Sequence, residues 1–191
     1  RSGLQKRGLG IALTVTPMEL IDTFFNWSIL VRSFPILIRG LGNTILLGLA
    51  AIVFGTIAGL AICLMRLYAP KLLRRLAILY VDIFRALPIL VVLILIYYAL
   101  PFVGIRLSSW ASAVTAFAFI MSAYSAEVFR SGIESIPKGQ FEASQALGLP
   151  FLLTLRKVVL PQAMRVVIPP MTSNCVSMFK DTSLASTVAL P

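Results

Sequence analysis

The chain has 191 residues, of which 59% are hydrophobic and 13% are charged, and its net charge is +10. Soluble domains carry about 25% charged residues, so this composition argues against a soluble fold. The sequence contains no histidine, which excludes Ser-His and Cys-His nucleophile pairs and HExxH metal sites. We therefore predict an all-α membrane protein with no catalytic site and no metal site.

Basic residues cluster beside the apolar segments, and this placement decides which partners the charge favours. Anionic lipid and the positive-inside rule explain such clusters directly. We therefore expect membrane lipid, and no nucleic acid, as a partner.

The N-terminal residues 1–39 mix apolar and aromatic positions with the charges Glu19, Asp22, Arg32 and Arg39. This pattern is too charged to span a bilayer and favours an amphipathic segment along the membrane surface. We expect this segment to precede a transmembrane domain over residues 40–191.

The first apolar run, residues 40–65, is 26 residues long without a charge, enough to cross a bilayer core of about 30 Å. It contains Gly55 and Gly59 at the GxxxG spacing, which predicts close packing against another helix. The alternative is that glycine is simply common in such helices.

Further apolar runs cover residues 86–105, 107–126 and 166–179. Pro88 predicts a kink in a helix that extends from about Arg74 to Pro101, since proline removes a backbone donor. The last run has only 14 residues and contains Pro169-Pro170, so we expect a broken span there.

The distribution of basic residues predicts the orientation of these spans. Four lie between residues 66 and 75 and five between residues 130 and 165, whereas residues 100–108 carry only Arg106. The first two regions are therefore expected in the cytoplasm and the third outside. Arg1, Lys6 and Arg7 oppose this orientation, because it places the N-terminus outside.

A loop over about residues 131–160 carries the most informative pattern. A helix is predicted from Gln140 to Leu147, with Gly148 ending it and Pro150 beyond. Small side chains suit a helix that docks in a groove of a soluble partner, with Phe141 and Leu147 as its anchors. An ordinary surface turn remains the alternative.

The sequence resembles the permease subunits of bacterial ATP-binding-cassette importers for polar amino acids, over about residues 26–191. The signature of that family, Glu-Ala-Ala followed by glycine and later by Leu-Pro, is similar to residues 142–148 and 160–163. Residues 84–88, 126–133 and 180–184 also match, in order. Ser144 stands where the signature has its second alanine.

The resemblance implies a type I importer permease fold with about five transmembrane helices, the last absent or truncated here, in the bacterial inner membrane. It implies a second permease chain, two ATPase subunits that bind ATP and Mg, and an external solute-binding protein. This chain would bind no cofactor and would not be an enzyme. The residues expected to couple it to the ATPases are Glu142, Ala143, Ser144, Ala146 and Gly148.

An amino acid carries an ammonium and a carboxylate, so the implied solute path needs an acid and a base. Glu127 is a candidate for the ammonium and Lys180 for the carboxylate, with Asp181 as a second acid. Asn174 and Ser177 precede that pair at helical spacing and offer hydrogen bonds. The alternative is structural, with Glu127 paired to an arginine three residues on.

Two other functions remain open at this point. A membrane-embedded enzyme lacks histidine, a facing aspartate pair and a metal motif to work with. A membrane scaffold, or a degenerate partner subunit of a heteromeric permease, would keep the fold without contacting solute. The sequence leaves open which amino acid is carried, and whether two permease chains would be identical.

Overall fold

The computed structural model describes residues 27–188, which form helices and short connections and contain no strand. This confirms the all-α prediction for that range. Residues from Leu41 onward pack as one unit, and the preceding part of the chain belongs to another. The helices are α1 (Trp27–Tyr68), α2 (Lys71–Ala86), α3 (Ile89–Ile94), α4 (Ser109–Glu134), α5 (Lys138–Ala146), α6 (Phe151–Thr154) and α7 (Leu160–Asp181).

Shorter turns extend several of these helices. A π turn, Leu95–Ala99, and a 3-10 turn, Leu100–Val103, continue α3. A second π turn, Leu155–Val159, joins α6 to α7, and a 3-10 segment, Thr182–Val188, follows α7. Through these turns α3 continues to Val103, and α6 continues into α7.

Helix α1 has 42 residues, and its part from Leu41 onward is by itself long enough to cross a bilayer core of about 30 Å. The expected surface segment falls partly outside the described residues, which begin at Trp27. From there the helix continues through residue 39 without a break. Arg32 and Arg39 are both exposed on it.

The GxxxG pair packs against α4 of the same chain, which confirms the predicted close helix contact. A Cβ atom added at Gly55 would lie 2.6 Å from Met121 Cβ, and one added at Gly59 would lie 2.6 Å from Ser125 Cβ. Contacts advance along both helices in the same direction, so α1 and α4 run parallel.

The predicted kink at Pro88 is confirmed and is a full break. Helix α2 begins at Lys71, ends at Ala86, and meets the α3 stretch at an angle of 106°. Within residues 27–188, α1 and α4 are long and apolar enough to span a membrane, and the bent α2–α3 pair is a third candidate.

The predicted break at Pro169-Pro170 is wrong, because α7 continues through both prolines. The prolines remove the donors that would pair with the carbonyls of Arg165 and Val166, and both residues are exposed. The opposite face of α7 is packed inside the protein through Ala163, Val167 and Met178. Packing of that face holds the helix together where its own hydrogen bonds are interrupted.

Helix α4 contributes to both apolar cores of the described chain. One core joins it to α1 and α3 through residues such as Leu47, Leu93 and Phe117. The other joins it to α2 and the start of α7 through residues such as Val81, Phe129 and Ala163. Because α4 is surrounded in this way, polar side chains near its ends are held in fixed positions.

Candidate functional site

A cavity of about 290 Å³ opens where the break between α2 and α3 faces α4 and α7. Helix α2 ends before Pro88, and α3 begins directly after it. The chain changes direction at this break and leaves space that a continuous helix would fill. We call this space the α7 cavity. It is lined by Leu87, Pro88, Ile89, Ile120, Met121, Tyr124, Asn174, Ser177, Met178 and Asp181.

Three of the five residues predicted for a solute path line this cavity. Asn174, Ser177 and Asp181 follow one another at spacings of three and four residues, which places them on one face of α7. Asn174 Nδ2 is buried and has no hydrogen-bond partner among the described residues. A carboxylate, a hydroxyl and an unpaired amide therefore converge on a space bounded mainly by apolar side chains.

The other two predicted path residues lie elsewhere. Lys180 is exposed and does not line the cavity, although it is adjacent in sequence to Asp181. Glu127 does not line it either, because its carboxylate is directed toward a group of arginines. The structure therefore separates Glu127 and Lys180 from the other three candidates for the solute path.

Glu127 is the centre of an ion-pair group that we call the Glu127 cluster. Arg66 Nη1 donates to Glu127 Oε2 at 2.9 Å, and Arg130 Nε donates to Glu127 Oε1 at 3.1 Å. Arg85 Nη1 is 3.9 Å from Glu127 Oε2, and Arg130 also pairs with Glu134. The cluster joins α1, α2 and α4, so one carboxylate holds together the ends of three helices.

Arg85 connects this cluster to the cavity. Its guanidinium lies over the ring of Tyr124 at 5.7 Å from the centroid, and Tyr124 lines the cavity. Leu87, two residues after Arg85, lines it as well. A cation therefore lies against one of the aromatic side chains that line the cavity.

The loop helix predicted before Gly148 is present as α5 and ends as expected. Gly148 has φ of +70°, in the region that favours glycine. Its N–H donates to the carbonyl of Gln145, and the N–H of Leu149 donates to the carbonyl of Ser144. This pair of bonds is a Schellman motif, which satisfies the last carbonyls of the helix.

The residues expected to couple the chain to a partner lie on different sides of α5. Glu142, Ala143, Ala146 and Gly148 are exposed. Ser144 is buried, and its hydroxyl donates to the carbonyl of Gln140 at 2.8 Å. Ser144 therefore faces the body of the protein, away from any surface that a partner could reach.

The two predicted anchors of this helix lie in different surroundings. Phe141 is half-buried and packs on the inner apolar core, as expected. Leu147 is 77% exposed, and Leu152 after the turn is 73% exposed. Apolar side chains on both sides of the Gly148 turn are therefore presented outward.

Two contacts fasten the loop to the long helices. The rings of Tyr68, at the end of α1, and Phe151, at the start of α6, meet edge to face with centroids 4.9 Å apart. Gln162 Nε2 on α7 donates to Gln140 Oε1 on α5 at 3.4 Å. The loop therefore contacts both α1 and α7.

Sequence reasoning missed Arg66, Arg85 and Tyr124 as members of these sites. Arg66 follows one apolar run and Arg85 precedes the next, so both read as interfacial charges, while Tyr124 reads as one more aromatic residue of a span. The signal that could have revealed the arginines is Glu127, because a carboxylate near the end of an apolar helix needs a cationic partner.

These features are those of the transmembrane subunit of a transport system. The helices are apolar, polar side chains face a cavity at a helix break, and a basic loop carries an exposed helix. The chain belongs to the family described as binding-protein-dependent transport system inner membrane component, whose model matches residues 51–191. It is therefore a multi-pass protein of the inner membrane. Its fold is that of type I ABC importer permeases.

Individual relatives agree with this assignment. The chain is 39% identical over 170 residues to the probable amino-acid ABC transporter permease protein YckA of Bacillus subtilis, covering 89% of this chain and 75% of the relative. It is 40% identical over 173 residues to the L-cystine transport system permease protein TcyB of the same organism, covering 90% and 74%.

A solved structure gives the same result for the fold. A crystal structure of an amino acid ABC transporter with histidines superposes with a TM-score of 0.76 at 33% identity. The match covers 84% of this chain and 75% of the solved one. The resemblance to importer permeases found in the sequence is confirmed.

Proposed function

We propose that the chain is the permease subunit of an ATP-binding-cassette importer that carries polar amino acids across the inner membrane. The relatives named above are amino-acid and L-cystine permeases, which supports the class of solute. The observation that carries the proposal is the α7 cavity, where Asp181, Asn174 and Ser177 meet.

This arrangement suits the polar end of an amino acid. Ionisable groups at the depth of a membrane are costly and tend to be retained where they handle a solute or ion. Asp181 offers a carboxylate to an ammonium group, and Ser177 and Asn174 offer hydrogen bonds. The apolar remainder of the wall accommodates a side chain without prescribing its charge.

Coupling to ATP hydrolysis is assigned to α5. Its exposed Glu142, Ala143 and Ala146, with Gly148 behind them, present a small-residue surface to the cytoplasm. A partner that moves this helix also moves α1 and α7 through the contacts of the loop. Rigid motion of these spans is the kind of change that alternating access requires.

The proposed assembly contains a second permease chain, two ATPase subunits and an external solute-binding protein. The sequence has no GxxxxGK[ST] phosphate-binding loop, so ATP and Mg are assigned to the ATPase subunits. In this scheme the present chain is a transport subunit and binds no cofactor of its own.

The test is solute uptake by the complete complex reconstituted in proteoliposomes, with external binding protein and internal ATP. Asp181→Asn removes the charge from the cavity, and uptake should fall at least tenfold while the subunits still co-purify. Lys180→Gln is the matched control, because the adjacent lysine is exposed and does not line the cavity. Its uptake should stay within twofold of the parent.

Three results would contradict the proposal. Failure to co-purify with any chain carrying a Walker ATPase motif removes the importer assignment. Unchanged uptake by Asp181→Asn indicates a scaffold or degenerate partner subunit that does not contact solute. Equal losses for Asp181→Asn and Lys180→Gln remove the α7 cavity as the solute site.

A further inference from the structure

We propose that Arg85 binds the α-carboxylate of the solute held in the α7 cavity. The inference rests on the proposed amino-acid substrate and names a residue that determines specificity for it. Neither the sequence motifs nor the lining of the cavity assigns this role to Arg85.

Within residues 27–188, the side chains that line the α7 cavity offer no cation to pair with the carboxylate of a solute. Among the described residues that line it, Asp181 supplies the one charged side chain. An acid alone suits an ammonium group, but a zwitterion also brings a carboxylate that must be paired when it leaves water. Lys180, the base that follows from sequence adjacency, does not line the cavity.

Arg85 is placed to supply that cation. Its guanidinium stacks over Tyr124, which lines the cavity across from α7. Leu87, Pro88 and Ile89 line the cavity, and Arg85 lies two residues before them in the chain. An arginine that reaches a carboxylate from this position can form two parallel hydrogen bonds with it.

Arg85 is also the least firmly held arginine of the Glu127 cluster. Its Nη1 lies 3.9 Å from Glu127 Oε2, an oxygen that Arg66 already engages at 2.9 Å. The Arg85 side chain is 42% exposed, against 20% for Arg66 and 25% for Arg130. Glu127 keeps two close partners when Arg85 turns toward the cavity, so the cluster survives the exchange.

The two acids and the cation thus have separate tasks. Asp181 binds the ammonium, Arg85 binds the carboxylate, and Glu127 holds Arg85 near the cavity when no solute is present. The binding site is completed by a short side-chain movement at the break between α2 and α3.

The experiment measures solute binding to the permease–ATPase complex by isothermal titration calorimetry, without ATP and without the external binding protein. The standard amino acids and L-cystine are screened first, and the tightest ligand is then compared with its own α-carboxamide. The parent should prefer the acid over the amide by about 10- to 100-fold, the range expected for a charge-assisted pair. Arg85→Gln should abolish this preference, and Arg85→Lys should retain part of it.

Arg66→Gln is the matched control, since Arg66 contacts the same carboxylate oxygen but is not adjacent to the cavity. It should lower thermal stability and keep the preference for the acid. An unchanged preference in Arg85→Gln overturns the role of Arg85 while leaving the proposed function intact. A parent complex that binds none of the amino acids overturns both.

Discussion

At the scale of single residues, the missing side chain of Gly59 sets how closely α1 approaches α4. A Cβ atom added there would lie 2.8 Å from the carbonyl oxygen of Ser122 and 3.1 Å from the amide nitrogen of Ala126. These are backbone atoms of a packed helix, which cannot rotate away as a side chain can. The two helices would have to separate.

Gly59→Ala should therefore lower the free energy of unfolding in mixed micelles by about 1–3 kcal/mol, the usual cost of overpacking. Gly42→Ala is the control in the same helix, because a Cβ atom there meets nothing within 4 Å. It should leave stability unchanged or raise it slightly, since alanine favours helix. Equal stability of the two variants would contradict the close packing.

Substitution of Glu127 distinguishes a structural role of its carboxylate from a role in the solute path. Glu127→Gln keeps the shape and leaves three arginines around a neutral amide. Lost hydrogen bonds to a charged group cost about 1.5–3 kcal/mol each in general, so the melting temperature in detergent should fall clearly. Arg66→Gln should produce a similar fall, because it removes the 2.9 Å bond to the same carboxylate.

The opposite result is equally informative. If Glu127→Gln keeps the parent melting temperature and subunit assembly while uptake in proteoliposomes is lost, the carboxylate belongs to the solute path. The structural role of the Glu127 cluster would then be wrong.

At the scale of elements, the end of α5 determines what the loop presents to a partner. Nothing lies within 4 Å of a Cβ atom added at Gly148, so within this chain the residue is needed for its positive φ and not for space. A partner surface could still need that space. Two substitutions distinguish these requirements, because asparagine tolerates a left-handed conformation and leucine does not.

Gly148→Leu should strain the turn by roughly 1–2 kcal/mol and reduce uptake per ATP hydrolysed at least several-fold. Gly148→Asn should keep coupling near the parent value if the turn alone matters. The measurement is the ratio of solute uptake to ATP hydrolysis in proteoliposomes. Asparagine as damaging as leucine would show that close approach by the partner is the requirement, and normal coupling by leucine would remove α5 from the coupling surface.

At the scale of the whole molecule, the distribution of basic residues predicts that the loop carrying α5 is cytoplasmic and that residues 100–108 are outside. Val103 is 74% exposed and Leu152 is 73% exposed, so the two positions are matched in accessibility and differ in the predicted side. They therefore report orientation without a difference in local burial.

In a background with Cys63 and Cys175 replaced by serine, Val103→Cys should react with a membrane-impermeant maleimide in intact cells or spheroplasts. Leu152→Cys should react only after permeabilisation. Labelling is read by the mass of the purified chain. The reverse pattern would invert the orientation and place α5 outside, where no ATPase could reach it.

Much of this architecture could be predicted from local signals. The apolar run of α1, the break at Pro88 and the turn at Gly148 each depend on the covalent properties of a few neighbouring residues. Proline lacks a donor and glycine accepts a positive φ, whatever surrounds them. The order of the permease motifs also identified the family.

The expectations that differ from the structure concern residues whose surroundings are set by tertiary packing. Pro169-Pro170 does not break α7, because the buried face of that helix is fixed by residues distant in sequence, such as those of α4. Ser144 is buried although its position in the signature predicts a docking residue.

The sequence by itself determined the class of protein, the apolar spans and the residues at which helices end. The pair of Glu127 with Arg130, three residues on, followed from the sequence, whereas the tertiary structure alone decided which charges meet between helices. Glu127 binds Arg66 from a helix 61 positions away in sequence, and Asp181 faces the cavity while its neighbour Lys180 does not. Adjacent residues of a helix point in different directions, and contacts between helices depend on how the chain packs. Charge pairing across the molecule is therefore a property of the fold, and no local pattern specifies it.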